Sequence, residues 1–258
     1  RWHSMNAFER MPKRDATNRI DSMWVLKWKL IDEVRRIKAR LCVRGFKDRQ
    51  ADSRNTFAGT TSRWGQRAVV SIAVQMGWRL WSADISMAFL RGMTFKELAA
   101  KTGKPLRTLE FDLPAGTSSL LRGMLGYETF NELLETLRML KAGFGTKDAP
   151  WAWALELMDC LMNDLGFKAT NADKRLYVLH HRTTKKLIAI VSTHVDDLKG
   201  ACEESALEPI RNALVRRYGK MTFQYCPFEH VGIQHRQRED GSIECDQEHY
   251  VRQLNLID

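Results

Sequence analysis

The sequence predicts an α+β protein built on an antiparallel sheet with helices packed on one face. Three observations predict it. Residues 24–46 alternate apolar and polar side chains in two runs joined at Asp32-Glu33, residues 62–76 place apolar side chains at helical spacing, and Leu187 to Val195 is an apolar run rich in β-branched residues. A β-α-β order with an antiparallel return fits a layered sheet of this type better than a doubly wound parallel one.

Each element follows from its own residues. Trp24, Leu26, Trp28 and Leu30 form the apolar side of the first hairpin strand. In the second strand Ile37, Ala39, Leu41 and Val43 fall on a core side, and Arg36, Lys38, Arg40 and Arg44 on the other. A strand that is half core and half cationic presents fixed charges to phosphate, with Arg40 as a bidentate fork and Lys38 as a point charge. Trp64, Ala68, Val69, Ile72, Ala73 and Met76 then mark a helix that Gly77 ends. Leu80 to Ser86 alternates as a short strand with Ser82, Asp84 and Ser86 on one face. Thr94 and Glu97 have capping-box spacing for a short helix ending by Gly103. Leu109 to Pro114 reads as a strand end, and a helix is expected over 131–140. The stretch Lys141 to Pro150 is loop-like, is not a P-loop, and leaves Asp148 to cap a helix running to Gly166. A hairpin over 174–196, a helix over 203–218 and a further β pair over 221–246 complete the set.

The chemistry concentrates in acidic residues at strand ends. Asp196 and Asp197 leave the apolar run side by side, and two adjacent anions call for a cation or a basic partner. Alone, such a doublet after a strand is more often a solvated turn or a helix N-cap. Asp84 adds a third carboxylate on a second short strand. Its bland reading is a salt bridge to Arg79 or Arg91. Three carboxylates brought together could hold two Mg²⁺ ions, activate an attacking hydroxyl and stabilise a pyrophosphate leaving group.

Composition narrows the partners. The chain has 258 residues, 44% of them hydrophobic, enough for one large or two modest cores. No run approaches the roughly 20 apolar residues of a membrane span, and Arg1-Trp2-His3-Ser4 is not a signal peptide, so an intracellular setting is expected. Five cysteines without a C-x-x-C pair favour neither a disulfide framework nor a zinc site. The formal charge is +10, and residues 1–50 hold 14 Lys/Arg against 6 Asp/Glu, which points to a polyanion at the N-terminal part.

Five blocks in order resemble copia-type LTR retrotransposon reverse transcriptases: Ile37 to Leu41 followed by Gly45-Phe46, Asp84 to Leu90, Lys147 to Trp153, Val195-Asp196-Asp197, and Phe228 to His235. The closing Gln247 to Leu254 also looks like the family segment after the palm, and the resemblance covers nearly the whole chain. It implies a right-hand polymerase: an N-terminal extension over 1–19, fingers over 20–80, palm over 81–103, a connection over 104–147, palm again over 148–246 and the start of a thumb over 247–258, the thumb being mostly absent. By the same resemblance Asp84, Asp196 and Asp197 are the metal and catalytic carboxylates, Asp196 the firmer ligand of the doublet and Asp197 a supporting one, with Ile85 beside them in the metal site. Lys38, Arg40, Phe89, Gly145 and Lys147 would serve the incoming nucleotide, Phe89 beneath the deoxyribose. His194, Phe228, Val231, Gly232 and Ile233 would meet primer and template. The implied cofactors are two Mg²⁺ ions, with Mn²⁺ as a substitute. The implied partners are an RNA template, a DNA or tRNA primer, dNTPs, and the RNase H and integrase of a Pol polyprotein, with no membrane, in the cytoplasm within a virus-like particle or in the nucleus.

Three residues depart from the family pattern: His194 for a usual Tyr, Asp148 for a common Gln and Trp151 for a usual Arg. They keep a second reading open, a catalytically decayed or domesticated nucleic-acid-binding remnant of such an element. A metal-dependent nuclease or cyclase would account for the carboxylates but not for the ordered basic and hairpin blocks.

Overall fold

A capping serine, an apolar stripe and a closing glycine set the first long helix. In the computed structural model, which describes residues 1–31, 33–51, 55–252 and 254, Ser62 Oγ accepts from the Gly65 N–H and Gly77 terminates the helix at φ 64°. The strands are β1 (Phe8–Pro12), β2 (Arg19–Ile31), β3 (Val34–Val43), β4 (Arg79–Ile85), β5 (Glu110–Asp112), β6 (Glu135–Met139), β7 (Lys168–Ala169), β8 (Leu176–His180), β9 (Leu187–His194), β10 (Asp197–Cys202), β11 (Met221–Tyr225), β12 (Phe228–His230), β13 (Ile233–Gln237) and β14 (Ile243–Asp246). The helices are α1 (Arg63–Met76), α2 (Ala88–Arg91), α3 (Phe95–Thr102), α4 (Ser118–Arg122), α5 (Ala149–Asp159), α6 (Glu204–Tyr218) and α7 (Glu248–Val251). The chain divides into two units, Arg1–Phe57 with Phe89–Glu156, and Ala58–Ala88 with Leu157–Asp258.

The first unit holds a five-stranded sheet in the order β1-β6-β5-β2-β3. Trp2, Phe8, Phe111 and Leu137 lie in its core, with the Trp2 and Phe111 rings 5.7 Å apart. Residues 1–19, expected as an extension, are therefore built in: β1 pairs with β6 from Phe8↔Met139 to Pro12↔Glu135. The helix expected over 131–140 is instead strand β6. Leu133 and Leu134 stand exposed at its entry, while Thr136, Leu137 and Met139 are buried between β1 and β5. A short leucine-rich run fits either period, and pairing on both sides decides for the strand. Helix α3 does open on the Thr94–Glu97 capping box and ends at Gly103.

The hairpin β2–β3 closes from Ser22↔Val43 to Ile31↔Val34; Asp32, half of its expected turn, lies outside the described residues. Its apolar side is core only at the base. Leu41 and Val43 are buried, but Leu26, Trp28, Leu30 and Ile37 are exposed. Two strands alone cannot cover a face, so the expected core side of the hairpin meets water over most of its length.

In the second unit an antiparallel sheet runs β11-β4-β10-β9-β8-β7, with a separate three-stranded sheet β12-β13-β14. Helix α1 contributes Val69 and Ala73 to a cluster with Leu80, Ile190, Ala201 and Phe228 on one face. Trp81 and Phe223 stack on the opposite face at 5.1 Å, and Arg211 of α6 lies over the Phe223 ring. Helices thus flank both faces rather than one. Alternation explains it: Leu80 and Trp81 are consecutive, both are buried, and each face needs its own cover.

Candidate active site

The carboxylates come together through register. Strand β10 runs antiparallel to β4, and Asp197 is the direct partner of Asp84; across β9 the partner of Asp197 is His194. Side chains opposite each other on an antiparallel pair share a face, so Asp84, Asp197 and His194 share one. The loop from β9 to β10 is only Val195-Asp196, with Val195 at φ 58°. That is an unfavourable setting for a β-branched residue, of the order of 1–3 kcal/mol. The Ile85 N–H donates to the Asp196 carbonyl at 3.1 Å, fastening the turn to the end of β4. Asp196 is therefore the turn residue, and Asp197 is the one opposite Asp84. Ile85 alternates to the other face with its side chain buried, which leaves its main chain beside the carboxylates.

Electrostatics mark the same place. Asp84 is exposed, and Asp196 and Asp197 are half-buried. Burial raises the Asp197 carboxyl to about 6, and the charges of Asp196 and Asp84 add to the rise. A divalent cation would relieve such crowding, and carboxylate oxygens are the donors a hard ion takes. Among the described residues no group of three or more His, Cys, Asp or Glu side chains is placed so that it could hold a metal ion; the register offers the facing pair Asp84 and Asp197, with Asp196 in the adjoining turn. Arg79, a candidate salt-bridge partner for Asp84, alternates to the other face, where its guanidinium sits 3.7 Å from the Tyr225 ring centroid.

Further along the carboxylate face, two residues beyond Asp197, Lys199 is almost completely buried, and its Nζ lies 3.2 Å from His235 Nε2. Burial lowers the Lys199 amine to about 8. The His235 imidazole is lowered to about 4, mainly by burial and then by the Lys199 charge. His230, also buried, is lowered to about 3 by burial and then by Lys199, His235 and His194. Near neutral pH the pair is therefore an ammonium donating to a neutral imidazole.

The hairpin β12–β13 turns at Val231 and Gly232, both left-handed at φ 53° and 73°. Val231 is exposed and Ile233 half-buried, as befits a hairpin tip. Phe228 corrects the expectation of a nucleic-acid contact: it is buried in the α1 core and stacks on His235 at 5.2 Å.

The residues expected at the nucleotide belong to the first unit. Lys27, Lys29, Arg36 and Lys38 pair across the hairpin as Lys27↔Lys38 and Lys29↔Arg36, and Val25 faces Arg40. One side is thus cationic along most of its length. The Arg40 guanidinium lies 5.8 Å from the Phe144 ring, which meets Phe89 edge-on at 5.9 Å. Phe144 thereby joins Arg40 to Phe89. Gly145 is a structural necessity at φ 100°, since a Cβ there would come within 1.9 Å of the Val43 carbonyl. The Val43 N–H donates to the Phe144 carbonyl at 2.9 Å, which fixes the loop on β3. Lys147 is exposed on that loop.

The departures from the family pattern are accommodated. Asp148 directly precedes α5 and its main-chain carbonyl accepts from the Ala152 N–H, while its carboxylate pairs with buried Arg107, which also pairs with Asp48. Trp151 packs against the first unit's core. Sequence reading missed Phe144, Lys199 and His235 as site neighbours. For Lys199 a signal existed, a lone cation at the second position after Asp197 in an otherwise apolar strand. Of the segment expected to begin a thumb, Gln253 and residues 255–258 lie outside the described residues.

No protein-family profile matches the chain. It is 28% identical over 164 residues, 63% of its length, to the retrovirus-related Pol polyprotein from transposon RE1 of Arabidopsis thaliana, and equally to that from transposon RE2 of the same plant. It spans 10% of the length of each of these curated relatives. The chain is thus distantly related to transposon Pol polyproteins and of retrotransposon origin.

Proposed function

We propose that the chain is the fingers-and-palm part of an RNA-directed DNA polymerase, transferring nucleotides from dNTPs to a primer 3′-hydroxyl on an RNA template. The observation that carries this reading is the register that sets Asp84 opposite Asp197 beside the Val195-Asp196 turn. Asp84, Asp197 and Asp196 would hold the divalent ions. Bound Mg²⁺ supplies activation of the attacking hydroxyl and charge stabilisation on the leaving pyrophosphate. Lys38 and Arg40 would bind the triphosphate, and Phe89, set by Phe144, would pack against the sugar. Val231 and Gly232 would support the primer, a DNA or a tRNA. RNase H and integrase functions would belong to the remainder of a Pol polyprotein.

Primer extension on an RNA template with Mg²⁺ or Mn²⁺ tests the proposal. The unsubstituted chain is expected to extend, and D84N and D197N each to lose more than about 100-fold in rate, as when a preorganised transition-state contact is removed. Failure of all three to extend, with salt-sensitive template binding retained, would establish the non-catalytic remnant instead.

A further inference from the structure

An amine buried in an apolar sheet is costly unless something holds it, and the partner of Lys199 is informative. His235 sits on a different sheet. Its Nδ1 lies 2.9 Å from the Ile233 carbonyl and can donate to it, which leaves Nε2 to accept from Lys199. The His235 ring stacks on Phe228, its direct partner on β12, so the imidazole grips both strands of the hairpin that turns at Val231-Gly232. Lys199 in turn lies two positions from Asp197 on the same face, opposite Ser82, which is two positions from Asp84. The Lys199–His235 hydrogen bond therefore joins the strand pair carrying the carboxylates to the hairpin.

The rest of β13 is anchored separately. Gln237 accepts from the Leu80 N–H at 3.0 Å and donates to the Trp78 carbonyl at 2.9 Å, fixing the hairpin's far end to the start of β4. The Lys199–His235 contact is thus a second tether, nearer the tip. With the far end held by Gln237 and Phe228 packed in the α1 core, the Lys199–His235 bond ties β13 directly to the carboxylate strand β10.

We infer that Lys199 is a positioning residue, which through His235 fixes the Val231-Gly232 hairpin, and any strand end held by it, in register with the Asp84–Asp197 carboxylates. The role in synthesis rests on the polymerase reading, but the tether itself does not. Lys199 touches no reacting atom in this account. It acts through the hairpin, so its loss should appear in the placement of the primer terminus and leave dNTP binding alone.

The test compares K199M, H235L, the double substitution and H235Q, the last retaining an acceptor near the position of Nε2. In steady-state extension of a primer on an RNA template, K199M and H235L should each lower kcat about 10- to 100-fold, the scale of a roughly 1 Å misplacement. The KM for dNTP should stay within about twofold, the double should be no worse than either single, and H235Q should recover most of the rate. Unchanged kcat in K199M, or single effects that multiply in the double, overturns the inference. If the unsubstituted chain extends no primer, the polymerase reading fails, and amide hydrogen exchange then decides the tether. Faster exchange in K199M confined to residues 229–235, with α1 unchanged, supports it; exchange unchanged at those residues, or accelerated throughout the unit, overturns it.

Discussion

Asp197 is where charge and burial conflict most openly. Its folded-state pKa near 6 lies above the ordinary carboxylate value of 3.8, so its favourable contribution to stability is full below about pH 4 and is lost as pH rises through about 6. In chelator at pH 8, D197N should therefore be more stable than the unsubstituted chain by about 1 kcal/mol, discounted for its partial exposure, or about 2–4 °C in Tm. Adding Mg²⁺ should reverse the order by stabilising only the unsubstituted chain. Thermal melts at pH 5 and pH 8, with and without Mg²⁺, check both signs; identical pH dependence of the two chains would remove the electrostatic account. The sequence singled out Asp84, Asp196 and Asp197 but favoured Asp196 as the partner of Asp84, whereas the strand register sets Asp197 opposite it. That depends on a two-residue loop with a left-handed valine, a conformation that turn preferences do not assign to Val195.

At the scale of elements, the hairpin β2–β3 separates what pattern can show from what it cannot. Alternation located both strands and their cationic side, because period 2 is a local property. It could not show that no third layer covers Leu26, Trp28 and Ile37. Stability should follow exposure: L41A should cost about 2–5 kcal/mol, while W28A should stay within about 0.5 kcal/mol, as read by chemical denaturation. Equal losses from the two would mean that the hairpin's outer part is covered. The loop against β3 gives a second prediction. G145A combines a disfavoured φ with a Cβ pressed on the Val43 carbonyl, and should cost more than about 2 kcal/mol. Strand β6 was illegible for a related reason. The leucines of residues 131–140 fit a helix, and only pairing with β1 and β5, remote in sequence, selects a strand.

On the scale of the whole molecule, the cationic hairpin and the facing carboxylates divide between the two units. The cationic side of β2–β3 lies in the first and the facing carboxylates in the second. The excess of 14 basic over 6 acidic residues in the first 50 was visible at once in the sequence, because net charge needs no fold to be counted. Binding to an RNA–DNA duplex should accordingly weaken linearly in log Kd against log salt. K27Q and K38Q should each lower the slope by about 0.7–0.9 if each contacts one phosphate; an unchanged slope in both would place the nucleic acid elsewhere. We propose that Asp84 and Asp197, in the second unit, form a metal-dependent centre for nucleotidyl transfer. Its most direct test is the single-turnover rate of incorporation of one dNTP as a function of Mg²⁺, in the unsubstituted chain, D84N, D197N and the loop control D240N. Saturable Mg²⁺ dependence is expected in the unsubstituted chain and D240N, and a loss of more than about 100-fold in D84N and D197N; incorporation by D197N at the unsubstituted rate would rule out a metal centre at Asp197.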